Sequence, residues 1–294
     1  MTERSDDAIL DTILSAYHLH ARITDNMRYC GRWRDSDPQA PAGVAWFHLL
    51  GQGSCWLKTP AMEQPIRLSS GDLVVLPRGT PHSLTSTGEE ESAGGEASFT
   101  TMLCGELSFE SATGHPVLEA LPDVMVTPAQ GSGDAFRHLA ELLLSEARQG
   151  GFGSRAVMDK LADALFVMSL RHFLSTAETR RGLFAALGDP RLKLALDAMH
   201  ADPGRDWTVA SLAEVAHLSR TVFAERFAET LAETPYQYLT RWRMMQALKL
   251  LRDPRLSVAQ VADRLGYETD AAFRRSFKRV HGFGPGSFRR EARP

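Results

Sequence analysis

The sequence has little cysteine, no long apolar run and no large net charge, and each shortage excludes something. Three cysteines among 294 residues are too few for a disulfide-stapled scaffold, and without a secretion signal they are expected to be reduced thiols. No run of about 18 consecutive apolar residues occurs, so no membrane-spanning helix is expected. The opening MTERSDDAIL is acidic and lacks the apolar core of a signal peptide, so a cytoplasmic protein is expected. The net charge of −3 excludes a chain that is basic throughout, yet the charge is unevenly spread. Residues 190–294 hold 18 Lys and Arg against 12 Asp and Glu, a balance of +6, whereas residues 1–189 come to −9. A basic part joined to an acidic part is the footprint expected when one domain meets phosphate and the other does not.

What is present suits roughly two soluble domains, with 43% hydrophobic residues to build their cores. The most informative stretch is LSVAQVADRLGYETDAAFRRSFKRVHGFGPGSFR, residues 256–289. Val258, Val261, Ala262 and Leu265 recur at helical spacing. Gly266 supplies a sharp turn, and Thr269 is a candidate N-cap for the next helix. In that helix Phe273 and Phe277 point inward, leaving Asp270, Ala271, Arg274, Arg275 and Lys278 outward. Such a helix is what a major-groove reader requires. Taken alone it reads equally well as a solvated basic helix. The balance shifts because WTVASLAEVAHLSRTVFAERF, residues 207–227, repeats the pattern. There Val209, Leu212, Ala213 and Ala216 form the apolar face, Ser219 is the cap, and Phe223 and Phe227 are the inward pair, 50 positions before the second pair. Arg220, Thr221, Ala224 and Glu225 are outward. Between the copies, Pro235 to about Arg252 reads as one helix. At ~17 residues, or ~25 Å, it can hold two reading heads about one DNA turn (~34 Å) apart.

These residues carry a resemblance. Residues 190–290 resemble the DNA-binding domain of the AraC/XylS transcription regulators, through the doubled motif, the TPYQYL segment with its following Arg and Leu-Leu, and GYETDAAFRRSFKRVHGFGPGSFR with its late Gly282, Pro285 and Phe288. The resemblance implies double-stranded DNA as partner, RNA polymerase as a second partner, and activation rather than repression. Arg241, Arg243, Arg289 and Arg290 are assigned to phosphate contacts, which position without reading sequence.

Upstream, residues 6–19 are expected as an amphipathic helix, and the text turns strand-like from about 27, with a Pro/Gly loop after Cys30. AWFHLLGQGSCWLKTP reads as a hairpin: strand 44–50, turn 51–53, strand 54–58. IRLSSGDLVVLPRGTPHSL reads as strands 66–68 and 73–76 and a strand entered at His82. Residues 87–97 are an acidic, Gly-rich loop, and 98–109 a strand carrying Cys104, after which His115 and Pro116 begin the return that closes the barrel. The spacing from Gly71 through Pro77 and Gly79 to His82 resembles the second cupin motif, although Ser86 stands where Asn is usual. Of the first cupin motif only His48 remains. His48 and His82, with Cys104 as a further candidate ligand, are the expected site for zinc or another divalent metal; the plain alternative is a pair of hydrogen-bonded barrel histidines. Cys55 is expected as a core residue. Cys30, flanked by Arg28, Arg32 and Arg34, is expected to be oxidisable. Residues 28–125 resemble the RclR-like, reactive-chlorine-sensing branch of the AraC family. That resemblance assigns oxidant sensing to Cys30 and Cys104 and metal binding to the two histidines.

Residues 134–148 and 154–174 show heptad-like apolar spacing, with Leu139, Leu142 and Leu143 on the first and Val157, Leu161, Leu165, Met168 and Phe173 on the second. They are expected to pack on the barrel and to offer a homodimer seam. The expected fold is α+β: a cupin-like β-barrel with flanking helices, then an all-α domain of two helix–turn–helix motifs joined by a long helix. The expected boundaries are 1–130 for the sensor, 131–176 for dimerisation, 177–189 for a linker and 190–294 for DNA binding. A small molecule, an oxidant or a metal is the expected effector, and no enzymatic activity is expected. Two other readings stay open: a cupin metalloenzyme (dioxygenase or isomerase) with a helical appendage, and a regulator whose barrel is only a dimerisation scaffold.

Overall fold

The computed structural model describes residues 19–41, 43–87, 99–109, 118, 120–176 and 182–291. The helix expected at 6–19 falls outside the described residues up to 18, as do the acidic loop from 88 and the return through His115 and Pro116. The described residues form two compact units, one within Leu19–Phe109 and Leu121–Ala177, the other running from 182 to 291 with Leu118 and Ala120.

The first unit is built on two antiparallel sheets. One has the strand order β1 (Leu19–Cys30), β8 (Phe99–Phe109), β3 (Val44–Gln52), β6 (Leu73–Leu76), β9 (Met125–Thr127). The other runs β2 (Arg34–Asp37), β7 (His82–Thr85), β4 (Ser54–Lys58), β5 (Ile66–Ser69). Strand periodicity of two aims alternate side chains at the partner sheet. In β4, Cys55 and Leu57 are buried while Ser54, Trp56 and Lys58 are half-buried. Leu50, Val74, Leu76 and Met102 of the first sheet share one core with Cys55, Leu57, Leu68 and Leu84 of the second. This is the expected cupin-like arrangement, with the expected hairpin at 44–58.

Two strands differ from expectation. β1 begins at Leu19 rather than near 27. Its polar residues Arg22, Thr24, Asp25 and Asn26 are exposed, so composition concealed a strand whose core face is carried by Ala21 and Ile23. β2 lies where only a loop was expected, because RDSD has no apolar alternation to announce it.

Gly105 of β8 sits between β1 and β3. A Cβ there would lie 2.4 Å from the Phe47 ring and 2.5 Å from the Arg22 carbonyl, so the tight approach of the three strands requires glycine.

Helices α1 (Asp134–Gln149) and α2 (Ser154–Thr176) belong to the same unit as the sheets rather than to a body of their own. α1 buries Phe136, Ala140 and Leu143; α2 buries Ala162, Leu165, Phe166, Ser169 and Leu170. α2 also covers the free edge of β1. The Ala21 and Ile23 amides donate to the carboxylates of Asp163 (2.6 Å) and Asp159 (3.0 Å). Edge amides left bare would recruit another strand; here two carboxylates, one helical turn apart, occupy them.

The second unit is helical: α3 (Leu183–Gly188), α4 (Pro190–Ala201), α5 (Val209–Val215), α6 (Arg220–Leu231), α7 (Pro235–Leu251), α8 (Val258–Arg264), α9 (Asp270–His281) and α10 (Pro285–Glu291). α3 lies inside the segment expected as linker. Asp189 caps α4 ahead of Pro190, and Thr208, Ser219, Thr234, Ser257 and Thr269 cap the five helices from α5 to α9. Side-chain oxygens thereby occupy amides that helix starts leave unpaired. The turn between α8 and α9 uses Gly266 at φ 72°, and a Cβ there would lie 2.2 Å from the Gly204 carbonyl. The corresponding turn of the first motif places His217 at φ 54°, a strained conformation for a residue with a Cβ.

Candidate metal centre and nucleic-acid interface

The two histidines come from opposite sheets and meet in the core. His48 on β3 and His82 on β7 are 2% and 5% exposed, with their Nε2 atoms 2.6 Å apart. Asp37 pairs across the strands with His82 and brings its Oδ2 to 3.2 Å from His82 Nε2 and 3.7 Å from His48 Nε2. Sequence reasoning missed Asp37, and its one signal was an acid alternating along an otherwise featureless polar stretch. The three ligand atoms lie within 4.8 Å of one another.

His82 Nδ1 lies 3.0 Å from the Thr80 carbonyl and donates to it, so in neutral His82 the Nε2 is a bare acceptor. It then accepts from His48 Nε2 but presents only a lone pair to the Asp37 carboxylate. One positive charge among the three groups resolves the conflict, either a further proton shared within the cluster or a metal ion. Hydrogen bonding to His82, then the charges of the two imidazoles, hold the Asp37 carboxyl below its usual range, while burial opposes the shift. Burial, reinforced by His82, pushes the His48 imidazolium well down. Two imidazoles and a carboxylate form a zinc-type donor set. Zn–N bonds of ~2.0–2.1 Å imply donor separations of about 3.3 Å around a tetrahedral ion. The 3.2 Å Asp37–His82 separation already suits that, whereas the 3.7 Å Asp37–His48 separation must close by about 0.4 Å and the Nε2 pair must open by about 0.7 Å.

Cys104 takes a different place from the one expected of a ligand beside both histidines. Its Sγ lies 3.1 Å from His48 Nδ1, on the ring edge opposite the cluster. Burial raises its thiol above the usual range, and the surrounding carboxylates add to the effect. Cys30, at the end of β1, is exposed. It pairs with Phe99, whereas Cys104 pairs with Asp25, a separation of five strand residues or ~17 Å. The two cysteines are not brought together. Cys55 is buried, as expected, and desolvation pushes its thiol up to about 12.

In the second unit the two inward Phe pairs anchor the two candidate reading helices, α6 and α9. All four rings are fully buried. Phe227 packs edge-on against Tyr238 near the start of α7. Phe273 and Phe277 pack with Met244, Ala247, Leu248 and Leu251 toward its end. The helices therefore sit at different ends of one 17-residue rod. With the Phe face inward, Arg220, Thr221 and Glu225 on α6 are exposed and Ala224 is half-buried; on α9, Ala271, Arg274, Arg275 and Lys278 are exposed and Asp270 is half-buried.

Three of the arginines assigned to phosphate are engaged elsewhere. Arg243 is only 9% exposed; its Nε donates to the Pro203 carbonyl (2.7 Å) and its Nη2 to the Arg205 carbonyl (2.9 Å). Arg289 donates to the carbonyls of Leu251 (3.2 Å) and Leu256 (2.5 Å), tying α10 to the end of α7. Both bind backbone carbonyls within their own unit. Arg241 is half-buried and ion-paired with Glu233. Arg290 remains exposed.

Comparison with known proteins agrees with both units. The family described as Cupin matches residues 8–175, and that described as Helix-turn-helix domain matches residues 212–291. The chain is 30% identical over 302 residues to an AraC-like transcription regulator of Streptomyces lividans, covering 96% of this chain and 97% of that one. It is 29% identical over 266 residues to the RCS-specific HTH-type transcriptional activator RclR of Escherichia coli K12, covering 88% and 90%. Among solved structures, the DNA-binding domain of AdpA in complex with a target DNA is 32% identical, covering 35% of this chain and 92% of that one with a TM-score of 0.33. Relatives across nearly the whole length carry the same assignment, and the chain belongs to the AraC-like family of DNA-binding transcription regulators, with a cupin domain ahead of its helix–turn–helix domain.

Proposed function

We propose that this regulator reads two successive major grooves, with α6 in one and α9 in the next, and that its cupin unit sets when it does so. The observation that supports this reading best is the pair of exposed reading faces, each anchored by two fully buried phenylalanines on a single rod. A guanidinium presents a fork that matches guanine O6 and N7, and a carboxylate accepts from cytosine N4. On these grounds Arg274, Arg275 and Arg220 read guanine and Glu225 reads cytosine. Thr221, Ala224 and Ala271 make the close contacts that small side chains permit, and Lys278 and Arg290 meet phosphate. The domain works as an activator through RNA polymerase, in the cytoplasm, as the family resemblance implies. Arg274→Ala is expected to weaken specific binding by ~1–3 kcal/mol and to relax one base position. Binding to a site obtained by in vitro selection measures this, and an unchanged affinity and footprint would remove Arg274 from the interface.

His48, His82 and Asp37 would hold a divalent ion, zinc by donor type, whose chemistry there is to neutralise the carboxylate and tie one sheet to the other. The residues do the rest: Thr80 fixes the His82 tautomer, and His48 links the cluster to the Cys104 thiol. Purified protein is expected to carry about one zinc per chain by elemental analysis, and His82→Ala to lose it. Stoichiometric zinc in the variant would rule out this cluster as its holder.

Oxidant sensing is assigned to Cys30, which solvent reaches, with Cys104 responding through its contact with His48. Dimerisation is assigned to α1 and α2, where Leu142 and Val157 lie 55% and 46% exposed beside the half-buried Leu161 and Met168. An effector then shifts the population of dimers whose reading helices match the operator.

A further inference from the structure

Arg274 is held in place by a neighbour on its own helix. On α9 the Arg274 Nε donates to Asp270 Oδ2 at 2.7 Å, one helical turn back along the same face. The contact uses Nε alone, so both terminal nitrogens, the two that fit guanine O6 and N7, stay outside the pair. The Arg274 side chain is half exposed. The other carboxylate oxygen of Asp270, Oδ1, is shielded and finds no hydrogen-bond donor among the described residues. Asp270 is the first residue of the helix, directly after the Thr269 cap, where a carboxylate is also favoured by the helix dipole.

An exposed i, i+4 ion pair adds little to stability. Its consequence for recognition is larger. An arginine free in solvent loses rotamer freedom when it docks on a base, and one already held by its neighbour has lost much of that freedom beforehand. A carboxylate next to DNA is repelled by phosphate, so Asp270 weakens binding to every sequence while sharpening the choice of one. Glutamine or serine at this position would avoid that repulsion but would not hold a guanidinium by charge.

We propose that Asp270 is a positioning residue rather than a base reader: it orients Arg274 and thereby sets the guanine preference of the second reading helix. This rests on the DNA-reading proposal above. The test is in vitro selection followed by binding titrations, using the full-length chain as wild type, Asp270→Ala, Asp270→Asn, Arg274→Ala and the double variant. Arg274→Ala is expected to abolish a guanine preference at one position by about tenfold or more. Asp270→Ala is expected to relax that same position by about two- to tenfold, with affinity for random-sequence DNA unchanged or increased. Asp270→Asn is expected to fall between wild type and Asp270→Ala. In base preference the double variant should match Arg274→Ala alone, because a holder without its arginine has nothing to hold. Thermal melting serves as the control, since the loss of a purely helix-stabilising Asp270 would lower the midpoint without moving a base preference.

Relaxation at another position, no relaxation, or additive effects on base preference in the double variant would overturn the proposal and leave the DNA-reading proposal standing. A wild-type chain that selects no sequence would sink both.

Discussion

Phe277→Ala is expected to cost ~3–5 kcal/mol of stability, the range for removing a buried phenylalanine ring, and to erase the second half of the DNA footprint. The ring is the hub of an aromatic cluster. It lies 5.8 Å from Phe273, 4.5 Å from His281, 6.0 Å from Phe283 and 6.5 Å from Phe288, centroid to centroid. Through these rings it joins α9 to α10, and through Met244, Leu248 and Leu251 it joins both to α7. His281 closes the cluster by bonding the Met244 carbonyl at 3.0 Å. Domains are stable by only ~5–15 kcal/mol in total, so a loss of this size leaves the second motif partly unfolded at growth temperatures. The first motif has its own pair, Phe223 and Phe227, on the other part of the rod. Urea unfolding and footprinting on a selected site measure the two effects together. A loss under ~1 kcal/mol, or a full footprint, would show that the rod holds α9 without this ring.

The second large effect separates two roles for one arginine. Arg243→Ala is expected to destabilise the helical unit by ~2–4 kcal/mol, because two carbonyls lose a charged donor and the vacated space has no other filler. Its guanidinium bonds the Pro203 and Arg205 carbonyls and lies over the Tyr267 ring at 5.7 Å. It links α7 to the loop before α5 and to the turn at Gly266, where a Cβ would come within 3.0 Å of its Nη2. Desolvation lowers the guanidinium pKa, although nearby tyrosines and Asp206 oppose the shift. Arg243→Lys is expected to recover part of the loss, since an ammonium supplies the charge but not the planar fork. A phosphate contact would behave otherwise: its removal would leave the melting midpoint in place and reduce the salt dependence of DNA affinity by about one unit of slope. An unshifted midpoint with a shallower slope would restore Arg243 to the interface.

How much was legible in the chain depended on how local the signal was. The two motifs are written in periodicity and caps that act within one or two turns of helix, so Ser219, Thr269 and the Phe pairs could be placed directly. The hairpin at 44–58 was legible for the same reason, through alternation and a glycine turn. Arg243 was assigned to phosphate because a basic residue in a DNA-binding domain invites such a partner. Yet it stands at i+4 from Leu239 and i−4 from Ala247, both buried, and that stripe was the available signal. Arg289 carried no such mark, since its partners are carbonyls at the far end of another helix.

By itself the sequence determined most of the element types, the order of the two units, the two helix–turn–helix motifs and the histidines worth watching. Each follows from spacing along a single strand or helix, where geometry is nearly invariant. The tertiary structure alone decided that Asp37 joins His48 and His82, that Cys104 faces the far side of an imidazole from the cluster, that Cys30 stands apart from it, and which arginines turn inward. Those outcomes depend on strand register, on how two sheets face and on which carbonyls lack donors. Such quantities are set by pairing between residues distant in the chain, and local pattern, the helical stripe around Arg243 apart, does not encode them.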